Sequence, residues 1–160
     1  MTTSLLTCRL VASIESFIDI LQNGRYDIIE SKLQEHLDWF SDAQKRTSPE
    51  HIEVTLFPSS HDLFETYEHE RTSPNGLKPA TIIELGELGI HFPDLQREFI
   101  IVAPGTMLEI YSMNDYDIPC LGHNDGGQRA FSTYNIGSRS NRRKLGIPGV
   151  MAAGFRVLPM

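Results

Sequence analysis

Between His91 and Tyr111 the chain reads His-Phe-Pro-Asp-Leu-Gln-Arg-Glu-Phe-Ile-Ile-Val-Ala-Pro-Gly-Thr-Met-Leu-Glu-Ile-Tyr, and no other stretch restricts the fold as much. It reads as the end of a helix, a Phe-Pro-Asp-Leu corner, a strand, a tight Pro-Gly turn and a second strand. Helical patterns dominate before it and strand patterns after it. That order predicts an α+β domain, one curved sheet with helices packed on one face. Such a sheet can wrap around a pocket. No catalytic signature stands in the chain, so any chemistry has to be argued from what lines that pocket.

The helical half is read from apolar spacing. Leu10, Ile14, Phe17, Ile18 and Leu21 recur at the helical period over 10–21, and Asn23-Gly24 supplies a left-handed stop. Ile29, Leu33 and Leu37 continue the period from Asp27, which predicts a helical hairpin with Ile14, Phe17, Ile18, Ile29 and Leu33 buried. Ile52, Val54 and Leu56 alternate with polar residues, as a half-buried strand does, and 59–69 suits a short capped helix. Pro79 reads as the first-turn proline of a third helix carrying Ile82, Ile83, Leu85, Leu88 and Ile90, with Gly86 and Gly89 permitting close packing. Strands are expected at 97–103, 107–113, 129–136 and 150–158. Loops are expected at 114–128 and 137–149, long enough to suggest function.

The 160 residues, 40% hydrophobic and 22% charged, suit a single domain over 1–160 with one core. A net charge of −7 argues against nucleic acid as a partner, since phosphate neutralisation needs a basic face. The one basic cluster, Arg139, Arg142, Arg143 and Lys144, reads as a solvated loop. Cys8 and Cys120 do not make a disulfide framework, which points to a reducing, cytoplasmic location. Arg9 interrupts the apolar start, and no run approaches the roughly 20 residues that span a bilayer, so no membrane partner is expected.

Phe17-Ile18-Asp19-Ile20-Leu21-Gln22-Asn23-Gly24-Arg25-Tyr26-Asp27 resembles the opening of the nuclear-transport-factor-2-like superfamily, in its SnoaL-like branch. His36-Leu37-Asp38-Trp39-Phe40 is similar to that family's exit into its first strand. Phe92-Pro93-Asp94-Leu95, followed by two strands around Gly105, is similar to its mid-chain corner. The two long loops depart from the family pattern, and its acid/base residues have no matching position here. The resemblance implies a cone-shaped sheet, mixed or antiparallel, enclosing a pocket with an N-terminal helical hairpin and a third helix. It also implies frequent homodimers and chemistry without cofactor or metal. That chemistry is isomerisation, cyclisation or dehydration of a small apolar oxygenated metabolite. The alternative is a non-catalytic module of the same cone that binds a ligand or partner.

Acid/base chemistry in such a pocket needs a proton acceptor and a donor facing each other in an apolar setting. On 107–113 the side chains alternate, placing Met107, Glu109, Tyr111 and Met113 on one face and Leu108, Ile110 and Ser112 on the other. If the first set faces inward, Glu109 and Tyr111 form the acid/base pair. His123 from the following loop is then a base at the pocket mouth, oriented by Asp125 or Asp115. The same Asp-, Asn- and Gly-rich loop also reads as a plain surface turn, or as oxygen ligands for a cation without the spacing of a calcium-binding helical hand. His61, Glu65 and His69 spread over about 12 Å of helix, too far for one ion. His36 and Trp39 read either as a pocket entrance or as core. No nucleophile elbow and no phosphate-cradling glycine loop is present. Both alternating sets of 150–158 are apolar, which predicts a second covered sheet face and a homodimer through it.

Overall fold

Leu6-Thr7-Cys8-Arg9-Leu10-Val11-Ala12 alternates strictly: Cys8, Leu10 and Ala12 are buried while Thr7, Arg9 and Val11 are exposed. This segment is a strand, not the start of a helix. The computed structural model describes residues 6–13, 16–35, 48–58, 77–106, 108–110, 115–138 and 150–159. Its elements are β1 (Leu6–Ala12), α1 (Phe17–Gly24), β2 (Ile28–Ile29), α2 (Ser31–Glu35), β3 (Glu50–Pro58), β4 (Lys78–Pro79) and α3 (Ile82–His91). There follow α4 (Leu95–Glu98), β5 (Ile100–Val102), β6 (Leu108–Ile110), β7 (Asp115–His123), β8 (Arg129–Ser138) and β9 (Val150–Val157). All nine strands join one sheet in the order β1-β3-β9-β5-β7-β8-β2, with β4 on β9 and β6 on β7 beside that path. The pairs β5–β9 and β2–β8 are parallel and the others antiparallel.

The expected cone with an N-terminal helical hairpin is therefore corrected to an open mixed sheet with few, short helices. Two local reasons account for it. The apolar spacing of Leu10 with later residues is also a period of two, and β3 supplies the partners: Cys8 faces Val54 and Leu10 faces Ile52. Asp27 does not open a second helix. Its N–H donates to Arg129 O at 3.0 Å and the Glu30 N–H to Phe131 O at 3.0 Å, which docks the intervening residues on β8 as β2. Among the described residues of this segment only Ser31–Glu35 is helical.

The loop expected at 114–128 is mostly strand β7, with a short turn into β8. Pro119 misleads because proline removes a ladder donor. Its carbonyl accepts from Ala103 N at 3.0 Å, and an extended residue aims its N and O at the same neighbour. The missing donor thus falls in the gap between the end of β5 and the start of β6. Pro79 lies in β4 rather than in a helix. The third helix starts at Ile82, behind a capping box in which Thr81 N donates to Glu84 Oε1 at 2.9 Å and Ile83 N to Thr81 Oγ1 at 3.2 Å. The Thr-Ile-Ile-Glu spacing that announces this cap is legible in the sequence. The strand expected at 97–103 begins as helix α4 and becomes β5 only at Ile100.

Register sorts the core into two layers. On one face Phe17, Ile20 and Leu21 of α1, with Ile82, Leu85 and Leu88 of α3, cover Cys8, Leu10, Ile52, Val54, Leu56, Ile101, Leu121, Phe131, Met151 and Ala153. On the other face Val102, Ile118, Cys120, Val150 and Ala152 form a second cluster, with Ile100 and Tyr134 against it. Both apolar sets of β9 are buried, as their sequence demands. Of the second set, Val150 and Ala152 are buried within a single chain, so at these two positions the apolar side chains are covered without another copy.

Of the residues expected in the core, Phe17 and Leu33 are buried, Ile29 is half-buried and Ile18 is exposed on the solvent side of α1. Ile14, His36, Trp39, the 59–69 segment and the basic cluster at 139–144 lie outside the described residues. Helix α1 is capped by Ser16, whose Oγ accepts from Asp19 N. Phe17, only 1% exposed, meets Phe131 edge to face with ring centroids 5.8 Å apart. Phe17→Ala should lower the unfolding free energy by about 3–5 kcal/mol, measured by urea denaturation. A change under about 1 kcal/mol would show that α1 does not pin this face.

Candidate functional site

The densest polar construction in the described residues centres on Arg129, the first residue of β8. Its strand neighbour on the same face, Phe131, is fully buried, so alternation drives a guanidinium into the apolar layer. There it donates through one terminal nitrogen to Gly24 O at 2.7 Å, and through the other to Gly89 O at 2.8 Å and Gln96 Oε1 at 3.1 Å. Gly24 is the last residue of α1 and Gly89 lies in the last turn of α3. Each helix end carries roughly half a negative charge, so two of them together match one buried cation. The Tyr26 ring adds its face 4.7 Å from the guanidinium carbon. Among the described residues only Arg129 Nε is buried without a hydrogen-bond partner.

Tyr26 explains two glycines, and Ile20 a third. A methyl group on Gly24 or Gly89 would occupy the space of the Tyr26 ring or hydroxyl, and one on Gly86 would meet Ile20. Gly24 is therefore there for packing. The left-handed stop of α1 is made by the next residue, Arg25, at φ 50°. The Tyr26 ring stands edge to face on Phe131 at 5.2 Å. Burial pushes its phenol well above the usual range and the charge of Glu87 adds to this, while Arg129 opposes it. Such a phenol stays protonated at neutral pH and cannot serve as a base.

Gln96 closes the same construction. Its side-chain nitrogen donates to Gly122 O at 2.8 Å and Ala130 O at 3.1 Å, tying α4 across the β7–β8 hairpin. Glu87, buried on α3, accepts from Ser13 N at 3.1 Å and Ser13 Oγ at 2.8 Å, and its other oxygen lies 3.7 Å from His91 Nε2. The order is hydroxyl, carboxylate, imidazole. A nucleophilic relay needs the imidazole between the other two, so this set anchors the end of β1 rather than activating Ser13.

The structure spreads the sequence-selected residues apart. Glu109 lies in β6 opposite Tyr116 of β7, while His123 ends β7 seven positions further on, about 23 Å along the strand at 3.3 Å per residue. Glu109 and His123 do not share one proton-transfer site, which corrects that expected grouping. Tyr111 lies outside the described residues. His123 Nδ1 is 2.7 Å from the Gln96 carbonyl, so it is the protonated nitrogen, oriented by backbone and not by a carboxylate. Asp125 is exposed in the turn, where Asn124 Oδ1 accepts from Gly126 N and Gln128 N and Gly127 takes φ +78°. The surface-turn reading describes this loop. Arg129, Tyr26 and Gln96 were not singled out from sequence. The signal available was a charge sharing a strand face with Phe131.

One further charged set lies at the opposite end of the sheet. Across β1, β3 and β9, Glu53 takes Arg9 Nε on one oxygen at 3.0 Å and Arg156 on the other at 2.9–3.0 Å. The hydrogen bond from Arg9, with Arg156 beside it, holds the Glu53 carboxyl below the usual carboxylate range against the opposing effect of burial.

No family model, curated protein or solved structure matches this chain. No helix among the described residues is long and apolar enough to cross a membrane.

Two outcomes follow from this geometry. Arg129→Leu strands two helix-end carbonyls and the Gln96 amide oxygen, and should destabilise by about 3 kcal/mol or more in urea denaturation, with Arg129→Lys recovering only part. A lowered carboxyl pKa stabilises the fold above the ordinary glutamate value near 4.3, and that contribution is lost as pH falls through the lowered value. The melting temperature of Glu53→Gln should therefore lie below wild type at pH 7 and meet it in acid. A gap of unchanged size in acid, once the carboxyl is protonated in both the folded and unfolded chain, would remove the ion set as its cause.

Proposed function

We propose that the protein is a non-catalytic partner-binding domain. The observation that carries this reading is how its polar groups are used. The buried ones that acid/base chemistry would draw on are committed to holding the fold: Arg129 to the ends of α1 and α3, Tyr26 to the α3 backbone, Gln96 to the β7 and β8 backbone and Glu87 to Ser13 at the end of β1. Glu109 and His123 stand at opposite ends of β7. The sheet is open, and an open sheet offers edges and faces to other chains. The cysteines agree with a cytoplasmic, reducing location. Cys8 and Cys120 are free and buried on opposite faces of the sheet, and burial pushes the Cys120 thiol up to about 12, out of reach of easy oxidation.

The test places a benzophenone amino acid at Val11, Ile18 or Val157, apolar residues that are each exposed, and illuminates the protein in the cell. A covalent adduct with a defined protein should form from at least one of these positions. It should persist when Glu109→Gln, His123→Asn and Asp125→Asn are combined. A small-molecule turnover that falls about 100-fold in Glu109→Gln alone would overturn the reading in favour of catalysis.

A further inference from the structure

We propose that the outer edge of β1 docks an acidic, extended segment of another protein, which joins the sheet as an added strand. This rests on the partner-binding reading and specifies its site. The two ends of the sheet are built differently. Among the described residues only the two of β2 lie beyond β8, and the carboxylates of Asp27 and Glu30 take the Arg129 N–H at 2.8 Å and the Thr133 N–H at 2.6 Å. Natural sheets blunt an edge by such short strands and charges. At the other end β1 runs seven residues in unbroken register, from Leu6 opposite Leu56 to Ala12 opposite Glu50. Among the described residues no strand lies beyond it. Its row of peptide groups is a template for pairing.

Charge selects the occupant. Thr7, Arg9 and Val11 are exposed on the face away from α1 and α3, with Val11 at 43%. On the same face Glu53 holds the guanidiniums of Arg9 and Arg156, two positive charges against one negative, in a chain of net charge −7. This contact draws the Arg9 side chain toward β3, the side away from the outer edge. Excess positive charge beside an open edge favours a strand carrying carboxylates at every second residue. A second copy fits less well. Antiparallel pairing about a two-fold axis keeps odd residues opposite odd ones, so both Arg9 side chains would share one face near the axis and repel.

The probes are fluorescein-labelled seven-residue peptides, matched to β1 in length, that alternate Glu with Val or Lys with Val. The glutamate peptide should bind, and the lysine peptide should bind about tenfold more weakly or not at all by fluorescence anisotropy. Arg9→Gln, checked for folding by circular dichroism, should weaken the glutamate peptide by about tenfold. N-methylation of alternate residues leaves the protein untouched and removes donors from one peptide edge at a time. One methylation pattern should abolish binding and the other should spare it. Equal binding of both methylated peptides, or of the lysine peptide, would overturn the proposal. So would β1 amides whose hydrogen exchange slows with protein concentration alone, which would assign the edge to a second copy. If the glutamate peptide fails while photo-crosslinking captures a protein elsewhere, the edge assignment falls and the binding function stands. Failure of both removes the function too.

Discussion

Two helix C-termini meet one buried guanidinium, and the way α1 and α3 sit against the sheet follows from that meeting. Arg129 cannot leave the apolar layer without turning Phe131 out, because both sit on one face of β8. Once inside it must be compensated, and the carbonyls ending α1 and α3 do so without a buried carboxylate. That choice avoids desolvating a second charge, the step that makes many buried ion pairs costly. It also sets the geometry, since α1 and α3 must both end within reach of the same side chain. The missing side chains of Gly24, Gly86 and Gly89 let Tyr26 and Ile20 fill the approach.

The sheet meets a different constraint. Its central strands carry apolar residues on both alternating sets, so both faces must leave water. The helix-side layer holds the larger residues, such as Phe17, Ile20, Leu56, Leu85 and Phe131, and the second layer smaller ones, such as Val102, Cys120 and Ala152. Polar residues in the interior are few and tied down. Glu84 closes a helix cap, Gln96 bridges α4 to the hairpin and Glu87 fixes Ser13. Polar groups committed in this way confer rigidity.

Reading the chain alone located β3, β8 and β9 closely: in β3 strict alternation matches a period of two and no helical one, and in β9 a short apolar run is bounded by Gly149 and Pro159. It missed β1 and β7 for different reasons. In β1 the short apolar run fits periods of two and of about four equally, and only pairing with β3 selects the strand. In β7 the Asp residues, Pro119 and Gly122 carry strong turn signals, which neighbours on both sides override. The left-handed residue is Arg25 rather than Gly24, and Gly24 is instead the position where Tyr26 leaves no room for a side chain.

What the sequence by itself determined is local: the alternation of the long strands, the Thr81–Glu84 cap, the hairpin turn at Asn124–Gln128 and the burial of both faces of β9. These depend on residues near one another in the chain, where spacing and backbone preference suffice. Tertiary structure alone decided the sheet order, the separation of Glu109 from His123, the position of Arg129 between two helix ends and the place of β1 at one end of the described strand order. Each of these joins residues far apart in sequence. Their energies come from burial, charge compensation and strand register, which exist only once the whole chain has packed.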